Sequence, residues 1–344
     1  MSDFYRRLEG YEDVKRLLDA SDEQVLVNLG KPTLIRIPGT DGSPRARFIS
    51  CLLHGNEDSG YHAVLELLRT GARYPFDLWI FIGNVAAASR DGWFAHRYLD
   101  GEEDFNRVWG REDPTTPMRV IADAVVAELG AADLDAAVDL HNNTGQNPYY
   151  AVLPSRTDAA VALALTCVDR IVEWQLRAHS LIEQFSLRCP TVAVECGLPL
   201  RQRNHAFALG VLHRFLAAPS FERTEAVPLA LLRLAYRVSV RPEVEFTFDS
   251  ALHNGYELAL RPGLDGQNFG MLLAGTELGK VREGAPLPLE ALDLSGHDVS
   301  RRLFEIRPGG RLVIREDVTP VMMTRSALQT RRDCLFYVGR HLAV

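Results

Sequence analysis

Three side chains that commonly bind metal ions stand at the ends of largely apolar segments. The run 45–53 leads into His54 and, three residues later, Glu57, and the run 134–140 leads into His141. Catalytic zinc sites favour three ligands from histidine and carboxylate, with one position left for water. The pattern therefore suggests one zinc ion. The alternatives are a loop histidine at 54, a carboxylate favoured by a helix N-terminus at 57 and a buried histidine at 141.

A fourth candidate, Glu195, closes the apolar run 191–194. Burying an unpaired carboxylate is costly, so its position calls for an explanation. One interpretation is a general base that takes a proton from an attacking water and returns it to a leaving amine. The other is an exposed glutamate at a strand end, and the sequence alone does not choose between them.

A long segment without helical or strand periodicity, residues 84–116, carries Arg97, Asp104, Asn106 and Arg107. Loops of this length inside a domain are usually functional. Adjacent Asn and Arg side chains could bind a carboxylate, because guanidinium pairs with carboxylate through two hydrogen bonds. A further arginine could hold a developing oxyanion. The alternative is a solvated surface with salt bridges.

These candidates require a scaffold that brings distant strand ends together. Apolar runs alternate with amphipathic segments, which predicts an α/β domain with a mainly parallel or mixed sheet flanked by helices. In such sheets, sites form beyond the carboxyl ends of the strands. Residues 1–30 are predicted to form a helical lead-in. The predicted strands are 33–38, 45–53, 77–83, 134–141, 149–153 and 191–195, and the predicted helices include 118–129, 157–168 and 201–217.

The sequence pattern changes near Pro219. Beyond about residue 224, short apolar runs are broken by Pro and Gly, as in 236–240, 244–248 and 311–314. This pattern indicates short strands and turns. We therefore predict two domains, a catalytic domain of residues 1–222 and a smaller β-rich domain of residues 223–344.

Composition excludes several classes of partner. The 344 residues are 47% apolar and 24% charged, with a net charge of −7, which gives no electrostatic footprint for nucleic acid. No apolar run approaches the roughly 20 residues of a membrane helix, and the polar start 1–7 lacks a signal-peptide core. Five cysteines without CxxC spacing suggest buried thiols in a reducing compartment. We expect a cytoplasmic protein.

The order of these motifs resembles the succinylglutamate desuccinylase/aspartoacylase family, a branch of the zinc carboxypeptidase superfamily. Each motif alone is common, whereas five in this order are specific. A weaker similarity continues at 236–238. The segments that carry the resemblance are 53–57, 83–84, 97–107, 139–145 and 194–197.

The resemblance implies a fold and a zinc site. The fold is a carboxypeptidase-like α/β domain followed by a β-rich domain that narrows the entrance. One zinc ion would be held by His54, Glu57 and His141, and Glu195 would act as catalytic base and acid.

The resemblance also implies roles in the long loop. Arg97 matches the arginine that polarises the scissile carbonyl, and Asn106 with Arg107 matches the pair that binds the substrate carboxylate.

The function that the resemblance implies is a zinc-dependent amidohydrolase that removes the acyl group of an N-acyl amino acid, such as an N-succinyl or N-acetyl derivative. The alternatives are a zinc carboxypeptidase-type peptidase or esterase on the same scaffold, and a non-catalytic binding protein. Retention of Glu195 beside a full ligand set argues against the last. The expected partner is a small molecule, and whether the chain forms a homo-oligomer is left open.

Overall fold

The structure, a computed structural model, describes residues 4–113, 115–175, 177–222 and 230–342. The chain divides into two units. The first comprises Met1–Asn142 and Tyr149–Leu229, and the second comprises Asn143–Pro148 and Ala230–Val344. The boundary predicted between residues 222 and 223 stays a prediction, because residues 223–229 lie outside the described residues.

The first unit alternates strands and helices along the chain. Two short 3-10 helices, Phe105–Arg107 and Leu129–Ala131, add to them. The strands are β1 (Arg6–Glu9), β2 (Thr33–Ile37), β3 (Arg45–Cys51), β4 (Asp77–Ile82), β5 (Asp133–His141), β6 (Tyr150–Leu153), β7 (Arg170–Glu173) and β8 (Thr191–Glu195). The helices are α1 (Tyr11–Leu18), α2 (Asp22–Leu29), α3 (Ser59–Arg69), α4 (Val85–Ser89), α5 (Pro117–Glu128), α6 (Asp158–Cys167), α7 (Leu181–Ser186) and α8 (Gln202–Ala217).

Local sequence signals set several helix ends. The Ser21 side chain accepts a hydrogen bond from the backbone N–H of Gln24 and so caps the start of α2. Gly30, with φ of 70°, ends the same helix in the left-handed conformation that glycine adopts without strain. Pro117 occupies the first turn of α5, where its missing N–H costs no helical hydrogen bond.

Parallel pairing brings the chemically capable residues to one edge of the sheet. In the first unit the strands lie in the order β1-β2-β4-β3-β5-β8-β6-β7. Strands β4, β3, β5 and β8 are parallel, whereas β2 and β6 run antiparallel to their neighbours β4 and β8. The carboxyl ends of β3, β5 and β8 therefore meet, and there His141 lies opposite Glu195 in the register.

Helices cover both faces of this sheet. Neighbouring residues of a strand point to opposite faces. On β3, the buried Arg47 donates to the carbonyl oxygen of Phe215 in α8, whereas the ring of Phe48 lies 4.8 Å from that of Phe185 in α7. The predicted α/β class, with helices flanking a mainly parallel sheet, is confirmed.

The predicted helical lead-in of residues 1–30 is wrong at its start. Residues Arg6–Glu9 form β1, which pairs in parallel with β2, and helices α1 and α2 follow. Leu8 is buried as a strand residue, and the first helix begins only at Tyr11. Pairing with an existing sheet edge outweighs a weak helical pattern over four residues. The short elements β7 and α7 were not predicted, because runs of four to six residues show too little periodicity.

The second unit is β-rich, as predicted. Its helices are α9 (Ser300–Leu303) and α10 (Ala327–Arg332), with a 3-10 turn at Leu264–Gln267. The strands are β9 (Ala230–Val240), β10 (Phe246–Phe248), β11 (Leu258–Leu260), β12 (Glu277–Val281), β13 (Leu289–Asp293), β14 (Phe304–Arg307), β15 (Arg311–Ile314), β16 (Thr319–Val321) and β17 (Phe336–His341). Five of them form a sheet in the order β10-β11-β12-β15-β14. Strand β9 pairs with β13 and with β17, and β17 also pairs with β16.

The core of the second unit is formed by the inward faces of both groups of strands. Val238, Leu258, Leu312 and Phe336 belong to one continuous cluster of buried apolar side chains. Such a cluster on alternate strand positions stabilises the short strands, which could not persist singly.

The cysteines agree with the expectation of buried thiols. All five cysteines lie within the described residues, and each is a buried free thiol. Among the helices in the described part of the chain, none has the length and apolar character needed to cross a membrane.

Candidate metal centre and active site

The three proposed metal ligands converge around the carboxylate of Glu57. Nδ1 of His54 lies 2.7 Å from Oε1 of Glu57, and Nδ1 of His141 lies 2.7 Å from Oε2. The exposed fractions of the three residues are only 3–5%. One potential ligand atom from each residue lies within 4.8 Å of the others, so the group could hold a metal ion. The first two ligands follow β3 and the third ends β5, as the parallel sheet requires.

Two further carboxylates orient the histidine rings. Nε2 of His54 lies 2.9 Å from Oδ1 of Asp104, and Nε2 of His141 lies 2.7 Å from Oδ2 of Asp139. Metal-binding histidines commonly donate their other ring N–H to such a carboxylate, which fixes the tautomer and makes the ligand nitrogen more basic. Both rings therefore direct Nδ1 towards Glu57.

The donor set fits a divalent cation. Every ring nitrogen of His54 and His141 lies beside a carboxylate oxygen. A neutral imidazole carries only one N–H, so one nitrogen of each ring faces an acceptor with a lone pair. A cation among the two Nδ1 atoms and Glu57 resolves this conflict. Two imidazoles and one carboxylate are ligands that zinc accepts.

Charges at the centre shift the pKa values of its acids and bases. Burial alone would raise the pKa of Glu57, but His54 and His141 outweigh it and hold that pKa far below its usual range. For Asp104, burial is likewise outweighed by His54 and Arg97, so its pKa lies well below normal. Burial would lower the pKa of His141, but Asp139 and Glu57 outweigh it and raise that pKa. Glu57 and Asp104 are thus anionic at neutral pH and favour a cation.

Glu195 occupies the last position of β8, directly opposite His141 in the parallel register. Burial raises the pKa of its carboxyl to about 7, with His141 lowering it and the negative charge of Glu57 raising it. A carboxyl with a pKa near the working pH can both accept and return a proton.

Arg97 extends from the long loop to the ligand group. Its Nη1 lies 3.4 Å from Oε1 of Glu57, and its Nη2 lies 3.1 Å from Oδ2 of Asp104. The backbone carbonyl of Arg97 accepts a hydrogen bond of 2.8 Å from the N–H of Gly55. The guanidinium thus lies beside the centre, where it can stabilise negative charge.

Glycines allow the loops around the centre to pack closely. A Cβ at Gly55 would lie 2.6 Å from the backbone nitrogen of Ala88, and one at Gly83 would lie 2.9 Å from the carbonyl oxygen of Leu52. Leu52 itself has φ of 59°, a left-handed conformation that costs roughly 1–3 kcal/mol in a non-glycine residue. Asn84 stabilises the same region by accepting from Ala87 N–H and so capping α4.

The structure places Asn106 and Arg107 in a 3-10 turn beside the centre. The amide oxygen of Asn106 accepts from the N–H of Leu181 at 2.9 Å, and its Nδ2 lies 3.4 Å from Nε2 of His141. Nη1 of Arg107 donates to the backbone carbonyl of Asn106 at 2.8 Å. These bonds fix the turn, and carboxylate binding by the pair stays a prediction.

The sequence assigned no role to Asp139 and Asn142. Asp139 precedes His141 by two residues on β5, so both side chains share one face of the strand. The sequence signal for Asp139 was a carboxylate inside an apolar run, because burying a carboxylate is costly unless another polar group pairs with it. Asn142 donates its backbone N–H to Glu57 at 3.1 Å, and its side chain donates to Ser59 and to the carbonyl of Gly197. Nothing in its local sequence pattern indicates those contacts.

Comparisons with known proteins agree with this architecture. The chain resembles succinylglutamate desuccinylase from Chromobacterium violaceum (17% identity, 90% of this chain and 89% of that chain, TM-score 0.53). It also resembles product-bound ectoine utilization protein EutE (DoeB) from Ruegeria pomeroyi (19% identity, 89% of this chain and 88% of that chain, TM-score 0.55). Murine aminoacylase 3 is similar as well (19% identity, 86% of this chain and 95% of that chain, TM-score 0.54). These similarities show a shared fold. Curated protein sequences give no match to this chain.

A family model matches part of the chain. The succinylglutamate desuccinylase/aspartoacylase catalytic domain matches residues 45–173, a segment that contains His54, Glu57, Arg97 and His141. Glu195 lies beyond the matched segment, on the next parallel strand of the same sheet. The motif order and the matched segment thus agree that residues 45–173 are similar to the catalytic domain of the succinylglutamate desuccinylase/aspartoacylase family.

Proposed function

We propose that this protein is a zinc-dependent deacylase that hydrolyses the amide bond of an N-acyl amino acid. The match of residues 45–173 to the desuccinylase/aspartoacylase catalytic domain supports a deacylase of that type. The observation that carries the finer proposal is the position of Glu57 between two histidines, each backed by its own carboxylate. Such a centre suits hydrolysis, and N-succinyl or N-acetyl amino acids are the substrate class that the sequence resemblance implies.

His54, Glu57 and His141 would hold the zinc ion. When bound, zinc supplies Lewis acidity and lowers the pKa of a water that it contacts to about 7. Asp104 and Asp139 keep the two rings in the orientation that this binding requires.

Glu195 is the proposed base and acid. Its raised pKa of about 7 lets it accept a proton from the attacking water near neutral pH. The protonated carboxyl then returns that proton to the nitrogen of the leaving amino acid, which departs as a neutral amine. Its position on the strand beside His141 places it at the same sheet edge as the metal ligands.

Arg97 is the proposed electrophilic residue. The guanidinium is held against Glu57 and Asp104, so it is oriented before substrate binds. Preorganised positive charge stabilises the oxyanion that develops on the acyl oxygen more than it stabilises the neutral carbonyl.

Asn106 and Arg107 are the proposed carboxylate-binding pair. Arg107 would supply the charge, since guanidinium can bind a carboxylate through two hydrogen bonds. Asn106 would donate from its amide Nδ2, while its amide oxygen accepts from the first N–H of α7 and its backbone carbonyl accepts from Arg107, which fixes the turn.

We place the activity in the cytoplasm, because five buried free thiols suit a reducing compartment. The experiment that tests the function assays a panel of N-acyl amino acids with metal analysis of the same sample. We expect hydrolysis of N-acyl amino acids that is lost on chelation and restored by zinc. Hydrolysis confined to peptide C-termini would favour the peptidase instead, and bound metal without any hydrolysis would favour a binding protein.

A further inference from the structure

Asp58, His62 and His205 form a second group of potential metal ligands in the first unit, distinct from the centre described above. Nε2 of His205 lies 2.7 Å from Oδ2 of Asp58, and Nε2 of His62 lies 3.8 Å from the same oxygen. The potential ligand atoms of all three residues lie within 4.8 Å of one another. The two imidazole rings stack with their centroids 4.4 Å apart, so both rings converge on Asp58.

The remaining nitrogen of His62 is already committed. Its Nδ1 bonds to Oδ2 of Asp22, and Oδ1 of Asp22 is paired with Arg69 at 2.7 Å. With the proton on Nδ1 donated to Asp22, a neutral His62 presents the Nε2 lone pair to Asp58. Two acceptors then face each other across 3.8 Å. A cation held by both would resolve this arrangement, and Asp22 would orient the ring as outer carboxylates do in zinc sites.

The N-terminal ends of two helices position these ligands. Asp58 directly precedes α3, His62 lies one helical turn later, and His205 lies near the start of α8. The second oxygen of Asp58 accepts from the N–H of Leu200 at 2.9 Å, which fixes the carboxylate. Asp58 is fully buried, whereas the side chains of His62 and His205 are 19% and 23% exposed. Solvent therefore reaches the ring side of the group.

We propose that Asp58, His62 and His205 bind a second divalent transition-metal ion, with zinc the best fit. Two imidazoles and one carboxylate suit zinc, whereas magnesium and calcium prefer oxygen ligands. Tetrahedral zinc, with bonds of about 2.0–2.1 Å, separates its ligand atoms by about 3.3 Å. The observed separations of 2.7 and 3.8 Å lie on either side of that value, so small side-chain rotations suffice.

Electrostatics allow a cation here. The N-termini of α3 and α8 contribute partial positive charge, which opposes binding. Two carboxylates, Asp58 and Asp22, offset it, and Arg69 neutralises only part of their charge. Because Asp58 follows Glu57 directly in the chain, a metal here would fasten the turn of the first centre to α8. The second ion is thus expected to act as a positioning metal.

Metal stoichiometry tests the proposal. Full-length protein is stripped with chelator, dialysed against increasing Zn²⁺ and measured for bound zinc per chain. Wild type is expected to bind two equivalents, and His205→Asn and His141→Ala one each. The control is His213→Asn, an exposed position on the same helix, which is expected to retain two. Circular dichroism verifies that each variant is folded.

The variants separate this proposal from the first centre. A His205→Asn protein that binds as much zinc as wild type overturns the second site. If wild type binds two equivalents of zinc and each site variant binds one, both sites are supported. If wild type binds one equivalent that disappears in His205→Asn but persists in His141→Ala, the second site stands and the first centre fails. Should His205→Asn misfold, His62→Gln tests the same group through another ligand.

Discussion

The carboxylate of Asp139 lies 2.7 Å from Nε2 of His141, two residues further along the same strand. On a strand that spacing places both side chains on one face. Asp139 is fully buried, so its charge must be matched inside the protein. The pair thus turns the ring so that Nδ1 faces Glu57, and β5 supplies both a ligand and the group that orients it.

Replacing Asp139 with Asn should weaken zinc binding while leaving the three ligands in place. A neutral amide makes His141 a less basic ligand and no longer fixes its tautomer, which typically costs about 10- to 100-fold in metal affinity. The dissociation constant is measured by competition with a chromogenic chelator. Asp133→Asn, an exposed position at the start of the same strand, is the control and should bind zinc as wild type does. Equal affinity in both variants would contradict the role of Asp139.

The convergence of His54, Glu57 and His141 could be predicted because strand ends are visible in the sequence. His54, His141 and Glu195 each end or follow an apolar run, and parallel pairing brings such ends together. The contacts of Arg97 with Asp104 and Glu57 could not be predicted, because they depend on how an irregular loop packs rather than on any period. Strand β1 was missed for a related reason, since only pairing with β2 makes Arg6–Glu9 extended.

Glu195→Gln should retain zinc and lose turnover. The amide keeps the shape of the side chain but cannot accept the proton of the attacking water, so kcat should fall by roughly 10²- to 10⁴-fold. Metal content and kcat are measured on the same preparation. A variant with near-normal kcat would rule out the assignment of Glu195 as the base.

The same assignment predicts a pH profile. Glu195 must be ionised to act as a base, and burial raises its pKa to about 7, so kcat/KM should rise with pH and level off above that value. A bound cation can only lower this pKa, so the midpoint of the rise should lie at or below about pH 7. The profile is measured for wild type across pH 5–9 at constant ionic strength. A rate that falls as pH rises through this range would show that the essential form of the carboxyl is the protonated one.

Arg107→Ala should raise KM far more than it lowers kcat. A carboxylate bound equally in the ground state and transition state contributes to KM alone. Loss of a hydrogen bond to a charged group costs about 1.5–3 kcal/mol, equivalent to roughly 10- to 150-fold in KM. Steady-state kinetics are compared with those of Arg90→Ala, an exposed arginine earlier in the same loop, which should resemble wild type. If both variants keep the wild-type KM, another residue binds the substrate carboxylate.

Gly55→Ala should destabilise the turn that carries the first two ligands. The added Cβ would lie 2.6 Å from the backbone nitrogen of Ala88 and 2.7 Å from the carbonyl oxygen of His96, and neither backbone atom can move alone. Overpacking of this kind typically costs about 1–3 kcal/mol in the free energy of unfolding, which urea titration measures. Gly130→Ala is the matched control, because a Cβ there has no atom within 4 Å and its φ is not positive. Because His54 and Glu57 flank the altered residue, zinc affinity should fall in Gly55→Ala and not in Gly130→Ala. Wild-type stability and zinc affinity in both variants would show that the loop packing around residue 55 does not hold the ligand turn.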